Sequence, residues 1–227
     1  MWTSITKFDT LPLVRYHESR QYAEVELGEA CMEFRLTYQG PLLAERDDRG
    51  KRSVHKHEIR RKFHEQLLVL WEKHPSLYRF YKAKFADAAE NRLMSRAEQM
   101  ARRFEKHGIR WAPLVHEYWG LACSLNILFL RPEPKGGIVQ TGDLDNRIKL
   151  LFDALAIPQD NALPDDFNAA SEPNPFFCLL SDDSLITSFS VTADRLLVPD
   201  VESSIAHLVI EVKTLITDHD LAYGEFA

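Results

Sequence analysis

An apolar segment followed by an amphipathic one, within residues 121–156, constrains the fold more than any other part of this sequence. Leu121–Leu130 is strongly apolar and predicts a strand. A turn-rich loop, Arg131–Gly137, follows it. Asn146–Ala156 then predicts a helix, because apolar residues recur at i, i+3, i+4 and i+7: Ile148, Leu151, Phe152 and Leu155. A helix with one apolar stripe needs a sheet or another helix to cover that stripe.

Segments with alternating apolar and polar residues predict the other strands. The first is Cys31–Tyr38, and two more are expected at Leu185–Thr192 and Ile205–Leu215. Phe176–Leu180 predicts a short buried strand. This order of elements predicts an α+β fold with a mixed sheet of about four or five strands and helices packed on it.

Two helical segments are predicted before the strand at Leu121–Leu130. The first runs from about His55 to Lys73 and carries apolar residues on one face and basic residues on the other; the apolar ones are Ile59, Phe63, Leu67, Leu70 and Trp71. Pro75 terminates this helix. Ser76 can cap a further helical stretch that runs to about Lys106, as one helix or as two helices joined near Asn91.

We therefore expect one domain over residues 1–227 with a helical insertion at about 76–120. An acidic, proline-containing loop is expected at 157–175. Residues 1–30 have no strong hydrophobic period, so they predict an irregular lead-in with one short strand.

The composition excludes several classes of protein. No apolar run approaches the roughly 20 residues of a membrane helix, and the N-terminus lacks the apolar core of a signal peptide. The three cysteines form no CxxC pattern and predict reduced thiols in the core. We therefore expect a cytoplasmic protein without a membrane partner. A formal net charge of -6 argues against a protein that coats nucleic acid nonspecifically.

Basic residues nevertheless concentrate between Arg46 and Arg110, where they outnumber acidic ones. This segregation predicts a basic face on an acidic molecule. The candidate contacts with a nucleic-acid backbone are Arg60, Arg61, Lys62 and Arg147.

Aspartates precede the helix predicted at Asn146–Ala156 and follow a later strand. Asp143 and Asp145 stand two residues apart, so in an extended chain both side chains leave the same side. Asp183 stands at the exit of Phe176–Leu180. Hard cations such as Mg²⁺ prefer oxygen ligands and use a few protein carboxylates, which fits three aspartates brought together from two loops. Two such ions roughly 3.5–4 Å apart would activate a water and stabilise the leaving oxygen of a phosphodiester.

Three polar residues complete this predicted site. Lys149 lies four residues after Asp145 on the same helix face, where it could stabilise negative charge developing on a phosphate. Asn146 and Asp182 would support the ligands by hydrogen bonding to a carboxylate or to a metal-bound water. The pattern favours a metal-dependent phosphodiesterase.

The residues at the start of this helix also have ordinary structural explanations. Asp145 or Asn146 is a good helix N-cap, and Asp143 is favoured at the positive end of a helix dipole. Lys149 and Asp153 stand at i and i+4, as in a surface ion pair. Capping and pairing therefore stay open as alternatives to metal binding.

Two further groups of polar residues have alternative explanations as well. Asp182-Asp183-Ser184 is also typical of a hairpin turn. His55 and His57 are too close together for the i, i+4 pair of a helical zinc site, so we expect solvated polar residues on the basic helix.

The chain resembles the RusA-type Holliday junction resolvases, strongly over Leu121–Thr192 and more weakly over Met32–Tyr38 and the basic helix after it. The motif that carries the resemblance is Gly-Asp143-Leu-Asp145-Asn146-x-x-Lys149-x-x-Phe152-Asp153-Ala154-Leu155, followed by Asp182-Asp183-Ser184 and an alternating strand. Compared with compact family members, residues 76–120 look inserted and the loop at 157–175 is longer and more acidic.

The resemblance implies a RusA-like fold in which Asp143, Asp145 and Asp183 bind Mg²⁺, with Mn²⁺ as an alternative ion. It implies that Lys149 assists catalysis. It also implies a homodimeric endonuclease that cuts branched DNA in recombination and repair. The acidic balance and the enlarged 76–120 region motivate a different hypothesis, a noncatalytic nucleic-acid or protein interaction module that keeps this fold.

Overall fold

The computed structural model describes residues 30–42, 49–132, 143–160, 162–202 and 204–218. The lead-in predicted before Ala30 lies outside these ranges. The helices and strands, in chain order, are β1 (Ala30–Pro41), α1 (Arg49–Lys73), α2 (Pro75–Lys82), β2 (Lys84–Asp87), β3 (Arg92–Ser95), α3 (Arg96–Ala101), β4 (Glu105–Lys106), β5 (Ile109–Val115), β6 (Leu121–Arg131), α4 (Asp143–Leu155), β7 (Phe176–Leu180), β8 (Ile186–Arg195) and β9 (Ile205–Ile216).

The main sheet is mixed and has four strands in the order β1-β9-β6-β8. β9 is antiparallel to both β1 and β6, whereas β6 and β8 are parallel. Alternation along the strands places Leu36, Ile210 and Ile127 side by side on one face, where each is at most 2% exposed. The predicted α+β class and the mixed sheet of about four strands are therefore confirmed.

The opposite face of this sheet is polar. Arg35 Nη2 donates to Glu211 Oε1 at 2.7 Å, and Asn126 Nδ2 donates to Glu211 Oε2 at 2.9 Å. Ser190 Oγ donates to Asn126 Oδ1 at 2.8 Å, so this chain of contacts crosses all four strands. One face of the sheet is therefore buried in the core, and the other carries hydrogen-bonded polar side chains.

Helices α1 and α4 pack against each other, and their apolar residues join those of the sheet in one cluster. The predicted stripe of α1 is buried, since Ile59, Phe63, Leu67 and Trp71 are each at most 1% exposed. The helix starts at Arg49 rather than near His55, and it ends as predicted before Pro75. No helix in the described ranges is long and apolar enough to cross a membrane.

The prediction of helical structure from Ser76 to Lys106, as one helix or two, was wrong. After the short α2, the chain forms a hairpin of β2 and β3. Asp87 Oδ1 shapes its turn by accepting from the N–H groups of Ala89 and Glu90, each at 3.0 Å. Ser95 then starts α3 with a capping box shared with Glu98.

Strand β5 also contradicts the prediction that 76–120 is a helical insertion. It pairs in parallel with β7 in a second sheet of order β4-β5-β7. Trp111, Leu114 and Val115 are each at most 1% exposed. Five of the seven residues from Ile109 to Val115 are apolar or aromatic, but Pro113 and the short length of the run made the strand difficult to predict.

Gly120, just before β6, and the residues that follow β9 fix the entry of the chain into the main sheet. Gly120 has φ +57, a left-handed conformation, and a Cβ there would lie 2.6 Å from the carbonyl oxygen of Asp218. The N–H of Thr217 donates to the Gly120 carbonyl at 2.7 Å. This close backbone approach holds the start of β6 against the end of β9.

Candidate metal and phosphate site

Helix α4 carries the first group of predicted site residues. It begins at Asp143, so neither Asp145 nor Asn146 is its N-cap and both lie in its first turn. The buried stripe of the helix faces the core, whereas Asp145 and Lys149 are exposed one turn apart. The side chain of Asp143 lies outside what the structure describes. The cap explanation for Asp145 is therefore wrong, and its carboxylate faces solvent.

Lys149 does not form the alternative ion pair with Asp153. Asp153 Oδ2 instead lies 3.1 Å from Nζ of Lys56, which comes from α1. Among the residues that the structure describes, Asp145 and Lys149 make no hydrogen bond or ion pair. Asn146 and Arg147 are half-buried, and each makes at least one polar, ring or electrostatic contact.

Asp182 and Asp183 follow β7, as predicted, but they do not form a hairpin turn. Asp182 Oδ1 accepts from the N–H of Ser184 at 3.0 Å and caps a short 3-10 turn, Asp183–Leu185. The hydrogen bonds from Ser184 lower the pKa of Asp182. This turn joins two different sheets, because β7 pairs with β5 and β8 pairs with β6. Asp183 is exposed, so capping occupies one carboxylate and leaves the next to solvent.

Two contacts place the turn Asp183–Leu185 beside α4. Ala156 forms a parallel bridge with Leu180, and the N–H of Ile157 donates to the Leu180 carbonyl at 3.1 Å. The turn itself packs against α4. The bridge lies at the C-terminal end of α4, eleven residues after Asp145, which is about 16 Å along the helix axis.

The residues present fit a hard divalent ion in their chemistry, because Asp145 and Asp183 offer exposed carboxylates that no described cation neutralises. No group of three or more potential ligands stands together within the described ranges. The predicted set of Asp143, Asp145 and Asp183 includes a side chain beyond those ranges, so it stays a prediction.

Arg60 was predicted to contact nucleic acid, and this prediction was wrong. Its side chain is 1% exposed. Nη2 donates to the Asp153 carbonyl at 2.8 Å and Nε donates to the Ala156 carbonyl at 3.3 Å. Burial lowers its pKa to about 10, which still leaves it charged at neutral pH. The guanidinium therefore satisfies carbonyls at the C-terminal end of α4, where a cation is favoured.

Arg61 and Lys62 occupy more open positions. Arg61 Nε donates to Glu172 Oε2 at 3.1 Å, and its Nη2 also contacts that carboxylate. Lys62 Nζ donates to the Gln39 carbonyl at 3.0 Å and lies 5.0 Å from the centroid of the Tyr38 ring. Both side chains remain exposed, so both stay candidates for phosphate contacts.

The histidines of α1 are not solvated, contrary to prediction. His55 and His57 are 5% and 3% exposed. His57 Nε2 lies 3.1 Å from Glu172 Oε1, and its ring packs edge-on against Phe167. Burial lowers the pKa of both rings. The loop at 157–175 supplies Glu172 and Phe167, and it covers a side of α1 that a single-stripe pattern predicts to be exposed.

Arg103 is a candidate phosphate contact that the sequence did not single out. It is exposed and lies over Tyr118, 5.4 Å from the ring centroid. It lines a cavity of about 220 Å³ together with Arg96, and a second of about 490 Å³ together with Asp182. Its position next to Arg102 within the basic segment was the available signal. Arg103 thus brings a cation to the turn that carries Asp183.

The two predicted core thiols that the structure describes are buried. Cys123 and Cys178 are at most 2% exposed and neither forms a disulfide. Burial raises the pKa of the Cys123 thiol to about 12, so it has no thiolate character at neutral pH.

Comparison with protein-family models, with curated proteins and with solved structures found no match to this chain.

Proposed function

We propose that this chain is a Mg²⁺-dependent, structure-selective endonuclease that hydrolyses phosphodiester bonds in branched DNA. The observation that carries the proposal is the exposed pair Asp145 and Lys149 on α4, the same helix against which the turn with exposed Asp183 packs. Carboxylates and a lysine that no described residue pairs with are available to an ion and a phosphate.

Each residue has a part in the proposed reaction. Asp143, Asp145 and Asp183 would hold Mg²⁺, which supplies an activated water and stabilises charge on the phosphate. Lys149 would contact the non-bridging oxygens of the scissile phosphate as negative charge develops there. Asp182 holds the turn that carries Asp183 through its hydrogen bond from Ser184.

The proposed DNA contacts lie outside the buried network of Arg60. Lys62 and Arg103 are exposed cations, and Arg103 lines the cavity beside Asp182. Lysine and arginine at such positions bind the phosphate backbone without reading sequence, as a structure-selective enzyme requires. We propose that the enzyme acts as a homodimer, because two copies present two sites to the two strands that must be cut among the four strands of a junction.

Incubation with a panel of labelled DNAs tests the proposal. With Mg²⁺ or Mn²⁺, the protein is expected to cut four-way junctions or flaps and to spare linear duplexes, and EDTA should abolish cutting. If every substrate in the panel stays intact with either ion, the proposed activity is wrong.

The second candidate is a noncatalytic module that binds nucleic acid or protein. The observation that favours it is the separation of about 16 Å along α4 between Asp145 and the bridge preceding Asp183. Titration calorimetry with Mg²⁺ separates the two candidates. Heat of binding that Asp143→Asn removes supports the endonuclease, and no heat in either protein supports the module.

A further inference from the structure

We propose that the free edge of β1 and the adjoining face of α1 form a two-fold contact with a second copy of this chain. The inference deepens the proposed function by locating the contact between the two copies. The inference depends on the proposed function at one point only, namely that the partner bound at this surface is a second copy of the chain.

The outer edge of β1 is closed at one end by side chains of α1. The N–H of Thr37 donates to Gln66 Oε1 at 2.8 Å, and Gln66 Nε2 donates to the Thr37 carbonyl at 2.8 Å. Lys62 Nζ donates a hydrogen bond to the next outward-facing carbonyl, that of Gln39. These contacts replace a neighbouring strand over the second half of β1.

Within the described residues, the other half of this edge has no partner strand. Outward backbone groups alternate along an antiparallel strand, so Glu33 and Arg35 point the same way as Thr37. β1 pairs with β9 on its inner side, and no second strand of the described chain lies on its outer side. The edge therefore offers the N–H and carbonyl groups of Glu33 and Arg35 to a new strand.

An apolar groove of about 660 Å³ lies beside this open edge. Its apolar lining consists of Phe34, Leu36, Val69, Leu70 and Pro75. Val69, in the last turns of α1, is 54% exposed. An open strand edge next to an apolar groove is a surface suited to strand addition.

The charges on β1 make the open edge complementary to itself. Glu33 and Arg35 flank Phe34, so antiparallel pairing about Phe34 sets each Glu33 opposite Arg35 of the second copy. This contact would add to the ion pairs that Arg35 forms with Glu211 and Glu33 forms with Lys213 within the chain. A two-fold axis at Glu33 would set two carboxylates opposite each other, and one at Arg35 would set two guanidiniums opposite each other. The charge pattern therefore selects one register.

Helix α1 repeats the same pattern at helical spacing. Glu65, Val69 and Lys73 are exposed and stand four residues apart on one face. A two-fold axis at Val69 sets each Glu65 against Lys73 of the second copy. Since Phe34 and Val69 line the same groove, one axis serves both the strand and the helix. Such a contact is isologous, as in most homodimers.

Matched charge reversals test this contact by sedimentation equilibrium, without DNA or metal. The wild-type protein is expected to be a dimer at micromolar concentration. Lys73→Glu and Glu65→Lys each create two like-charge contacts across the axis, and each should weaken dimerisation at least about tenfold. The double variant carrying both reversals restores opposite charges and should dimerise as the wild type does.

Several outcomes would overturn the proposal. They are a monomeric wild-type protein, single reversals that dimerise normally, and a double variant as weak as the single ones. A monomer would leave the groove to an extended peptide or to residues 1–29. Circular dichroism melts verify that all variants fold, and because DNA cleavage is assayed separately, loss of the dimer contact is distinguishable from absence of nuclease activity.

Discussion

Asp145 is the residue on which the proposed chemistry is most directly testable. Asp145→Asn keeps the size of the side chain and removes the charge that an ion requires. We expect cleavage to fall by more than about 100-fold, because even residues that only support metal ligands contribute about 10–100-fold. Single-turnover cleavage of a four-way junction measures the loss.

Asp166→Asn is the matched control for this change, since Asp166 is an exposed aspartate on the 157–175 loop. It should cut at the wild-type rate. Equal rates for Asp145→Asn and the wild-type protein would remove Asp145 from the site.

The buried guanidinium of Arg60 stabilises the fold by donating to backbone carbonyls at the C-terminal end of α4. Arg60→Met keeps much of the side-chain volume but leaves the carbonyls of Asp153 and Ala156 without their donor. Hydrogen bonds from a charged group contribute about 1.5–3 kcal/mol each, so we expect the free energy of unfolding to fall by about 3 kcal/mol. Urea unfolding at neutral pH measures this change.

Arg61→Met is the comparison for Arg60, because Arg61 is exposed and pairs with one carboxylate. Its cost should be smaller, about 1–2 kcal/mol, because water can reach the half-exposed Arg61 side chain, although the buried Glu172 carboxylate loses a donor. If Arg61→Met lowered the free energy of unfolding as much as Arg60→Met, burial would not be what makes Arg60 important for stability.

At the level of elements, the buried histidines couple stability to pH. Burial is the largest cause that lowers the pKa of His55, His57 and His64 in α1, and it lowers that of His116 to about 4. The unfolded chain has histidine pKa values of about 6.5, so below that pH it binds more protons than the folded chain. The free energy of unfolding should therefore fall as the pH drops from about 7 to about 5.

His116→Gln isolates one contribution to this dependence. His116 is fully buried, with Nε2 3.0 Å from Met100 Sδ. Between about pH 6 and pH 5 the variant should lose stability less steeply than the wild type, by up to about 1.4 kcal/mol per pH unit. Urea unfolding at these two pH values gives both slopes, and identical slopes would show that His116 is protonated in the folded protein.

Across the whole molecule, β5 belongs to the core rather than to an insertion. Two leucines in the segment predicted as an insertion provide a matched test, since Leu114 is 1% exposed in β5 and Leu93 is 63% exposed in β3. Leu114→Ala should cost about 2–5 kcal/mol of unfolding free energy. Leu93→Ala should change it by no more than about 0.5 kcal/mol.

Thermal unfolding followed by circular dichroism compares these two variants directly. If residues 76–120 were an appended insertion, neither substitution would lower the melting temperature of the main sheet. A large decrease for Leu114→Ala alone is the result that the pairing of β5 with β7 requires.

The sequence alone determined the elements whose hydrophobic period is complete. The strands β1, β6 and β9, the stripe of α1 and the stripe of α4 follow from side-chain spacing, because a local period sets which face can be buried. The exposed positions of Asp145 and Lys149 follow for the same reason, since they lie opposite the apolar stripe of α4.

Only the tertiary structure decided what lies on the second side of α1 and which segments pair across long distances. The burial of Arg60, His57 and Glu172 depends on β7 and the 157–175 loop, which begin more than 80 residues after α1 ends. The pairing of β5 with β7 likewise joins distant segments. Local propensity carries no information on such contacts, because their energy arises only when separate elements remove each other's surface from water.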